Sequence, residues 1–550
     1  MMPEASETRD LHVHAALARA VSDNGVDTMF GVIGDANLYM ADSFVRDCGG
    51  QFVSAANEAG AVLMALGCGY VSDRLSVATV THGPALCNTM TALVEGVKGR
   101  VPLLLLCGDT PMDERANFQD IAQREVILAA GAGFEQLRGP DSVAEDVAIA
   151  IRRAWLERRP VALNMPREYQ WLRCSYAPRL ARLADNRAIV PESTDLDNAI
   201  GIIAAARKPV VLAGRGAANP EARTALIRLA ARIGAPLATT LKGAGLFASE
   251  PYDLGVFGTL SSQPATDIIL DADCIVAFGA SLNRYTSSKG TFLDGKRVIQ
   301  VNADAAEVGQ HALPTIGVIG DAARTADLFV KWLDAAEIPS SGFRQPEMLA
   351  ALAVADPVRE CGRPAAPGML DLARVIAALD EAIPDDRVLV SDGGRFLLQP
   401  WKIMKVKQPR SFVFTLHFGS IGLGLAEAIG AGKAAPGRPI TLLTGDGGFM
   451  LGGLAEFNSA VRAGTDLIVL LFNDGAYGAE HIQFRMKHMD PALSMFDWPD
   501  FAEVARSLGG DGVTIRTEAD LPGAREAIAG RRRPLLIDIK LDPDQMPSVR

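Results

Sequence analysis

The sequence predicts an α/β protein built from three doubly wound parallel-sheet domains. Short runs rich in Leu, Ile and Val, such as LSVATV, PVVLAG, CIVAFGA, KRVIQVN and LIVLLFND, do not alternate apolar with polar. That is the pattern of strands covered on both faces. Ala-rich helical stretches separate them, as in a βαβ repeat. The chain has 550 residues, more than one core sustains at roughly 150 residues per domain.

Two linker-like stretches, near 178–195 and 337–368, divide the chain into expected domains at 1–180, 195–337 and 366–545. The composition, 49% hydrophobic and 22% charged, is that of an ordinary globular protein. A net charge of −11 argues against non-specific binding to nucleic acid or anionic membrane. The longest apolar runs, VPLLLLC (101–107) and LIVLLF (467–472), are too short to cross a bilayer. The start, MMPEASETRD, is acidic and does not read as a secretory leader. Seven cysteines stand singly with no CxxC. This predicts reduced thiols, a cytoplasmic setting and no zinc site.

In the first segment, FGVIGDANLYMADSF (30–44) follows a strand and leads into a helix, so Asp35 reads as a helix N-cap. Glu58, in SAANEAGAVLMALGCGY, opens a small-residue helix, where the helix dipole favours a carboxylate. THGP (81–84) makes a tight turn beside His82, which reads as a proton shuttle or as a turn histidine bonded to backbone. The middle segment carries GRG (214–216), LKGAG (241–245) and GASLNRYT (279–286), Gly-rich turns that say little by themselves.

The third segment is the most telling. PITLL leads into TGDGGFMLGGLAEF (444–457), where glycines let a ligand approach the main chain. Asp446 puts a hard anion where bare helix N–H groups favour one from outside, which suggests a cation bridging Asp446 to phosphate. One βαβ unit later the next strand ends at Asn473 in NDGAYG. A right-handed crossover brings both strand ends to one sheet edge, where open α/β sheets bind ligands. Oxygen ligands of this kind suit Mg²⁺ or Ca²⁺.

GDG followed by NDG resembles the diphosphate–Mg²⁺ motif of the thiamine diphosphate (ThDP) enzymes, the family of acetolactate synthases, pyruvate decarboxylases and benzoylformate decarboxylases. The resemblance extends over nearly the whole chain. It implies that Asp446, the Asn473 side chain and the Gly475 carbonyl bind the metal, with Gly445, Gly447 and Gly448 lining the diphosphate. Residues 30–44 and 54–70 are similar to the pyrimidine-binding half of the family, which implicates Gly34 and makes Glu58 the carboxylate that hydrogen-bonds the aminopyrimidine. That role calls for a carboxyl in a dry pocket able to share a proton. FGSIGLGLAEAIGA (418–431) resembles the segment whose bulky residue, here Ile421, holds the cofactor bent.

The resemblance points two ways on the reaction. Asp35 stands where pyruvate-decarboxylase-like members carry a catalytic aspartate, and Glu480 lies one residue beyond their glutamate. ANFQDIAQ (116–123) resembles the acetolactate synthase FQE segment, which would put Gln119 at the reacting carbons. FAD, a structural cofactor in the central domain of acetolactate synthases, is in question because Ser281 replaces their arginine. HIQFRMKHMDPALSMFDWPDF (481–501) has no strong period and reads as a loop or lid. The leading expectation is an acetolactate-synthase-like carboligase acting on a small-molecule 2-oxo acid, as a homodimer or homotetramer. The alternatives are a non-oxidative 2-oxo acid decarboxylase releasing an aldehyde, and a non-catalytic ThDP-binding paralogue.

Overall fold

The computed structural model describes residues 8–114, 116–181, 183, 189–361 and 370–544. The linker stretch CGRPAAPG (361–368) lies almost wholly outside them, as do parts of the first linker and both ends.

The first sheet is formed by β2 (Thr28–Gly31), β3 (Gln51–Ser54), β4 (Ser76–Val80), β5 (Leu103–Asp109), β6 (Gly133–Gln136) and β7 (Pro160–Pro166), in the order β3-β2-β4-β5-β7-β6, all parallel. A short antiparallel pair, β1 (Arg9–His12) with β8 (Arg173–Tyr176), joins the two ends of this unit. The second sheet runs β11-β10-β9-β12-β13-β14, from β9 (Pro209–Ala213), β10 (Leu237–Thr239), β11 (Asp253–Val256), β12 (Cys274–Phe278), β13 (Arg297–Asn302) and β14 (Ile316–Ile319). The third runs β16-β15-β17-β18-β20-β19, from β15 (Val388–Ser391), β16 (Phe412–Phe414), β17 (Ile440–Gly445), β18 (Leu467–Asn473), β19 (Asp511–Ile515) and β20 (Leu535–Lys540).

The central strands β4, β7, β9, β12 and β18 are buried at every position. This is why their sequences run apolar without alternation: helices cover both faces. Near the middle of each sheet the chain order reverses, between β2 and β4, β9 and β12, and β15 and β17. Loops leaving the carboxyl ends of those strands diverge there and open a crevice. Asp35 and His82 follow the first pair, Gly214 and Gly279 the second, Asp392 and Asp446 the third.

The first and third units pack through the helices Glu58–Ser72 and Gly424–Ala434, which share one buried apolar cluster. Glycines let their backbones touch. A Cβ on Gly67 would lie 2.0 Å from the Glu427 carbonyl oxygen, and one on Gly430 would lie 1.7 Å from that of Met64. Buried Glu456 adds a polar link by accepting hydrogen bonds from the main-chain N–H groups of Ala56 and Asn57, each at 3.1 Å.

Candidate active site

The first crevice holds the carboxylates singled out in the N-terminal sequence. Glu58 begins its helix as expected, with Asn57 as N-cap accepting from Ala59 N–H at 2.8 Å. Its Oε2 accepts from Asn88 Nδ2 at 2.9 Å. Asn88 ends the short helix after the THGP turn and aims the Glu58 carboxyl. Glu58 is only partly buried in the single chain, so the dry pocket expected for it needs a further covering surface.

Asp35 is not a helix N-cap. The helix starts at Leu38, capped at Asn37, whose buried side chain accepts from Gly34 N–H (2.8 Å) and donates to Val32 O (3.1 Å) and Thr79 Oγ1 (3.2 Å). Asn37 thus shapes the loop and leaves the Asp35 side chain free to face the crevice. There Asp35 accepts from Thr81 Oγ1 at 3.2 Å and pairs with Arg167 Nε at 3.2 Å. His82 is buried beside it, with Nδ1 3.2 Å from Thr81 Oγ1 and 3.9 Å from Asp35 Oδ1. It is therefore not the backbone-bonded turn histidine that the sequence also allowed. Its Nε2 has no partner among the described residues.

Gln119 lies near the same turn, but through its backbone. Gly83 adopts φ +59°, and a Cβ there would come within 2.2 Å of the Gln119 carbonyl oxygen, so only glycine fits. The Gln119 side chain is partly exposed. The glutamine built into the scaffold is Gln123, buried, which accepts from Gly83 N–H at 2.7 Å and donates to Gly108 O at 2.9 Å and Asn164 Oδ1 at 3.1 Å.

The third crevice gathers the other half of the motif. β17 and β18 are neighbours in register, Gly445 beside Phe472, so Asp446 and Asn473 leave adjacent strand ends. Asp446 opens a helical stretch that runs to Ala463 through a π-turn at Phe449–Gly453. Among the described residues, its buried carboxylate accepts one side-chain bond, from Trp498 Nε1 at 2.9 Å. Burial, and then the neighbouring Asp474 carboxylate, push its pKa up to about 7. Asn473 donates its Nδ2 to Asp538 Oδ1 at 2.9 Å and accepts from Gly475 N–H at 3.2 Å. Gly475 turns with φ +63° and its carbonyl accepts from Phe496 N–H at 2.8 Å. Gly447 leaves room for the Tyr477 ring, 2.6 Å from where a Cβ would sit, and Gly448 lies against the Gly422 backbone.

These donors fit a diphosphate-bound Mg²⁺. A carboxylate destabilised by burial next to another acid gains from a cation, and Asn473 and Gly475 offer neutral oxygens. No group of three or more His, Cys, Asp or Glu suited to a metal occurs among the described residues. One carboxylate with two neutral oxygens leaves coordination positions for phosphate oxygens, which is how Mg²⁺ is usually held.

Asp392, unremarked in the sequence, organises this edge. It is buried and accepts from Gly393 N–H (2.6 Å), Gly422 N–H (3.0 Å) and Thr444 Oγ1 (3.1 Å). Burial raises its pKa to about 6. It fixes the turn at Gly422 and thereby Ile421, whose side chain packs so close to Gly393 that a Cβ there would meet it at 2.8 Å. The cue was available: SDGG after RVLV repeats the strand-end Asp-Gly pattern of TGDGG.

Glu480 sits in the first turn of the helix Gly478–Met486, exposed. Part of the expected loop is thus a helix. Its other side buries His481, bonded to Asp544 at 2.8 Å, and residues 487–500 form the irregular remainder. In the central crevice, Gly216 N–H bonds Gly279 O at 3.0 Å and a Cβ on Gly214 would lie 2.2 Å from that oxygen. The two loops close on each other there.

Three family models match the chain in order: the thiamine pyrophosphate enzyme N-terminal TPP binding domain at residues 11–129, the central domain at 196–329 and the C-terminal TPP binding domain at 392–539. The chain belongs to the thiamine diphosphate-dependent enzymes of the acetolactate synthase-like group. Sulfoacetaldehyde acetyltransferase of Rhodobacter capsulatus is 28% identical over 94% of this chain and 91% of its own. Acetolactate synthase of Mycobacterium bovis is 27% identical over 96% of this chain and 88% of its own. For the Escherichia coli acetolactate synthase isozyme 1 large subunit, identity is 25% over 96% and 93%.

Proposed function

We propose that the protein is a ThDP- and Mg²⁺-dependent carboligase acting on 2-oxo acids. The reaction breaks one C–C bond with loss of CO₂ and joins the remaining acyl carbon to a second carbonyl carbon, whose oxygen takes up a proton. The product is a 2-hydroxy ketone or acetohydroxy acid. The observation that carries this reading is the adjacency of Asp446 and Asn473 at neighbouring strand ends of the third sheet, together with Glu58 aimed by Asn88 at the same end of the first.

When bound, ThDP supplies a carbon nucleophile and a sink for the electrons released by decarboxylation. Asp446, Asn473 and Gly475 hold the metal and its diphosphate. Ile421, seated by Asp392 through Gly422 and Gly393, shapes the shelf for the cofactor's middle. Glu58 holds a proton at the aminopyrimidine, while Asp35 and His82 manage protons at the carbonyl oxygen. Gln119 lines the reacting carbons.

The printed names of the relatives, acetolactate synthase and sulfoacetaldehyde acetyltransferase, both fit transfer of a two-carbon unit. The decarboxylase reading retains one specific support, the placement of Asp35 against Thr81 and His82. A homodimer or homotetramer is part of this reading, with Phe118, 94% exposed, and Leu493, 86% exposed, as side chains such an assembly would cover. The seven free cysteines suit a cytoplasmic enzyme, and no helix among the described residues is long and apolar enough to cross a membrane.

The test is incubation of sedimentation-characterised protein with ThDP, Mg²⁺ and a panel of 2-oxo acids beginning with pyruvate, with products resolved by mass spectrometry. A coupled hydroxy ketone from a dimer or larger is expected. Free aldehyde alone would favour the decarboxylase. A monomer that turns over would overturn the assembly.

A further inference from the structure

We propose that Trp498 is a positioning residue that sets the metal preference of the site: it holds one carboxylate oxygen of Asp446, keeps that ligand monodentate, and so favours Mg²⁺ over Ca²⁺. This rests on the assignment of Asp446, Asn473 and Gly475 as the metal ligands. Trp498 Nε1 donates to Asp446 Oδ2 at 2.9 Å, and among the described residues no side chain holds Oδ1. An indole has one N–H and no acceptor. It can therefore hold the carboxylate without adding an oxygen to the site.

The aim of the indole is built into the fold. Its ring stacks on Phe496, with centroids 4.7 Å apart and planes at 15°, and lies 6.5 Å from the ring of buried Phe501. Phe496 is fixed in turn: its N–H donates to Gly475 O at 2.8 Å, while Tyr477 N–H donates to Ser494 O at 2.9 Å. Residues 494–496 thus run antiparallel beside the Gly475 turn. Asp538 steers the amide ligand in the same way. It accepts Asn473 Nδ2 on one oxygen at 2.9 Å and Phe501 N–H on the other at 3.2 Å. That leaves the Asn473 amide oxygen, not its nitrogen, for a cation.

The consequence is a limit on the oxygens the chain can offer. Mg²⁺ takes a tight, near-octahedral shell and keeps water and phosphate in it. Ca²⁺ takes a larger, looser shell and often both oxygens of a carboxylate. With Oδ2 on the indole, Asp446 contributes Oδ1 beside the neutral oxygens of Asn473 and Gly475, a set that matches Mg²⁺. Freed of the indole, Asp446 would turn both oxygens to the ion, and the gain would go to Ca²⁺. The other acid nearby, Asp474, is committed elsewhere: Oδ1 accepts from Ala476 N–H at 3.2 Å, and the carboxylate lies beside the Arg395 charge. Hydrogen-bond partners one step out from a metal change its affinity by about 10–100-fold.

Two measurements test this. The first is calorimetric titration of Mg²⁺ and of Ca²⁺ into the full chain with ThDP in excess, for the parent, Trp498→Phe and Trp498→His. Phenylalanine keeps an aromatic ring without an N–H, and histidine keeps a ring N–H. The ratio of Mg²⁺ to Ca²⁺ affinity should fall about tenfold in Trp498→Phe and recover in part in Trp498→His. A merely loosened loop would weaken both ions alike and leave the ratio where it was. An unchanged ratio in Trp498→Phe, with both ions still bound, overturns the role of Trp498 and leaves the metal site standing. A parent that binds neither ion overturns the metal site and this proposal with it. The second measurement uses the parent loaded with either ion and follows hydrogen–deuterium exchange of its indole N–H groups by NMR. Of the five tryptophans, Trp498 is identified by the signal lost in either variant. Its N–H should stay protected with Mg²⁺ and exchange faster with saturating Ca²⁺, which draws Oδ2 from the indole. Equal protection under the two ions overturns the proposal.

Discussion

Charged side chains taken out of water define this molecule at the scale of the residue. Asp446 is 2% exposed at a helix start, and burial followed by the Asp474 carboxylate raises its pKa to about 7. Lys242 is the opposite case. It lies where all three units meet, 5.2 Å from the Phe414 ring centroid, and burial followed by the Arg215 charge lowers its pKa to about 7. Below that pH both folded and unfolded chains carry the charge, and the fold bears the whole cost of burying it. Between about 7 and the ordinary 10.5 the unfolded chain holds more protons, so stability rises with pH. Lys242→Met should therefore be more stable than the parent by roughly 2–4 kcal/mol at pH 6.5, with the gap shrinking by pH 9.5 in urea denaturation. A gap independent of pH would contradict this account. Asp446 and Asn473 were legible because their motif joins glycines, strand ends and fixed spacing. Asn88, Gln123, Asp392 and Asp538 were not, because each acts by holding another side chain or loop across the fold. No local spacing encodes such a partner.

At the scale of elements, the contact between the helices Glu58–Ser72 and Gly424–Ala434 joins the first and third units. It depends on the absence of side chains at Gly67 and Gly430. Gly430→Ala would drive a methyl into the Met64 carbonyl and push the helices apart. Overpacking of this kind costs about 1–3 kcal/mol or more, although alanine by itself favours a helix. Lower thermal stability with a weakened ThDP affinity is expected, from calorimetry and cofactor titration of the same variant. A neutral outcome would mean that the helices separate freely. The small-residue character of both helices was visible in the sequence, but its reason was not, since only the packed pair shows which glycine meets which carbonyl. The helix Gly478–Met486 escaped sequence reading because most of its residues face solvent and only His481 is buried, leaving no apolar stripe to reveal the period.

Across the whole molecule, the first and third sheets repeat one strand order and the central sheet has another, with the candidate site residues at the carboxyl ends of the outer sheets. That much was legible, because fully buried strands and strand-end glycines fix both the parallel topology and the edge where ligands bind. The reaction was less legible, since Asp35, His82 and Gln119 come from three separate loops. Their convergence depends on strand order rather than on any stretch of sequence. The central claim is that Glu58 activates a cofactor anchored by Asp446 and Asn473. The most direct test is deuterium exchange at C2 of bound ThDP, followed by NMR after rapid quench, in the parent and in Glu58→Gln at matched cofactor occupancy. The account predicts exchange accelerated by about 100-fold or more in the parent, falling to that of free ThDP in the variant while binding persists. Equal exchange in both proteins would contradict it.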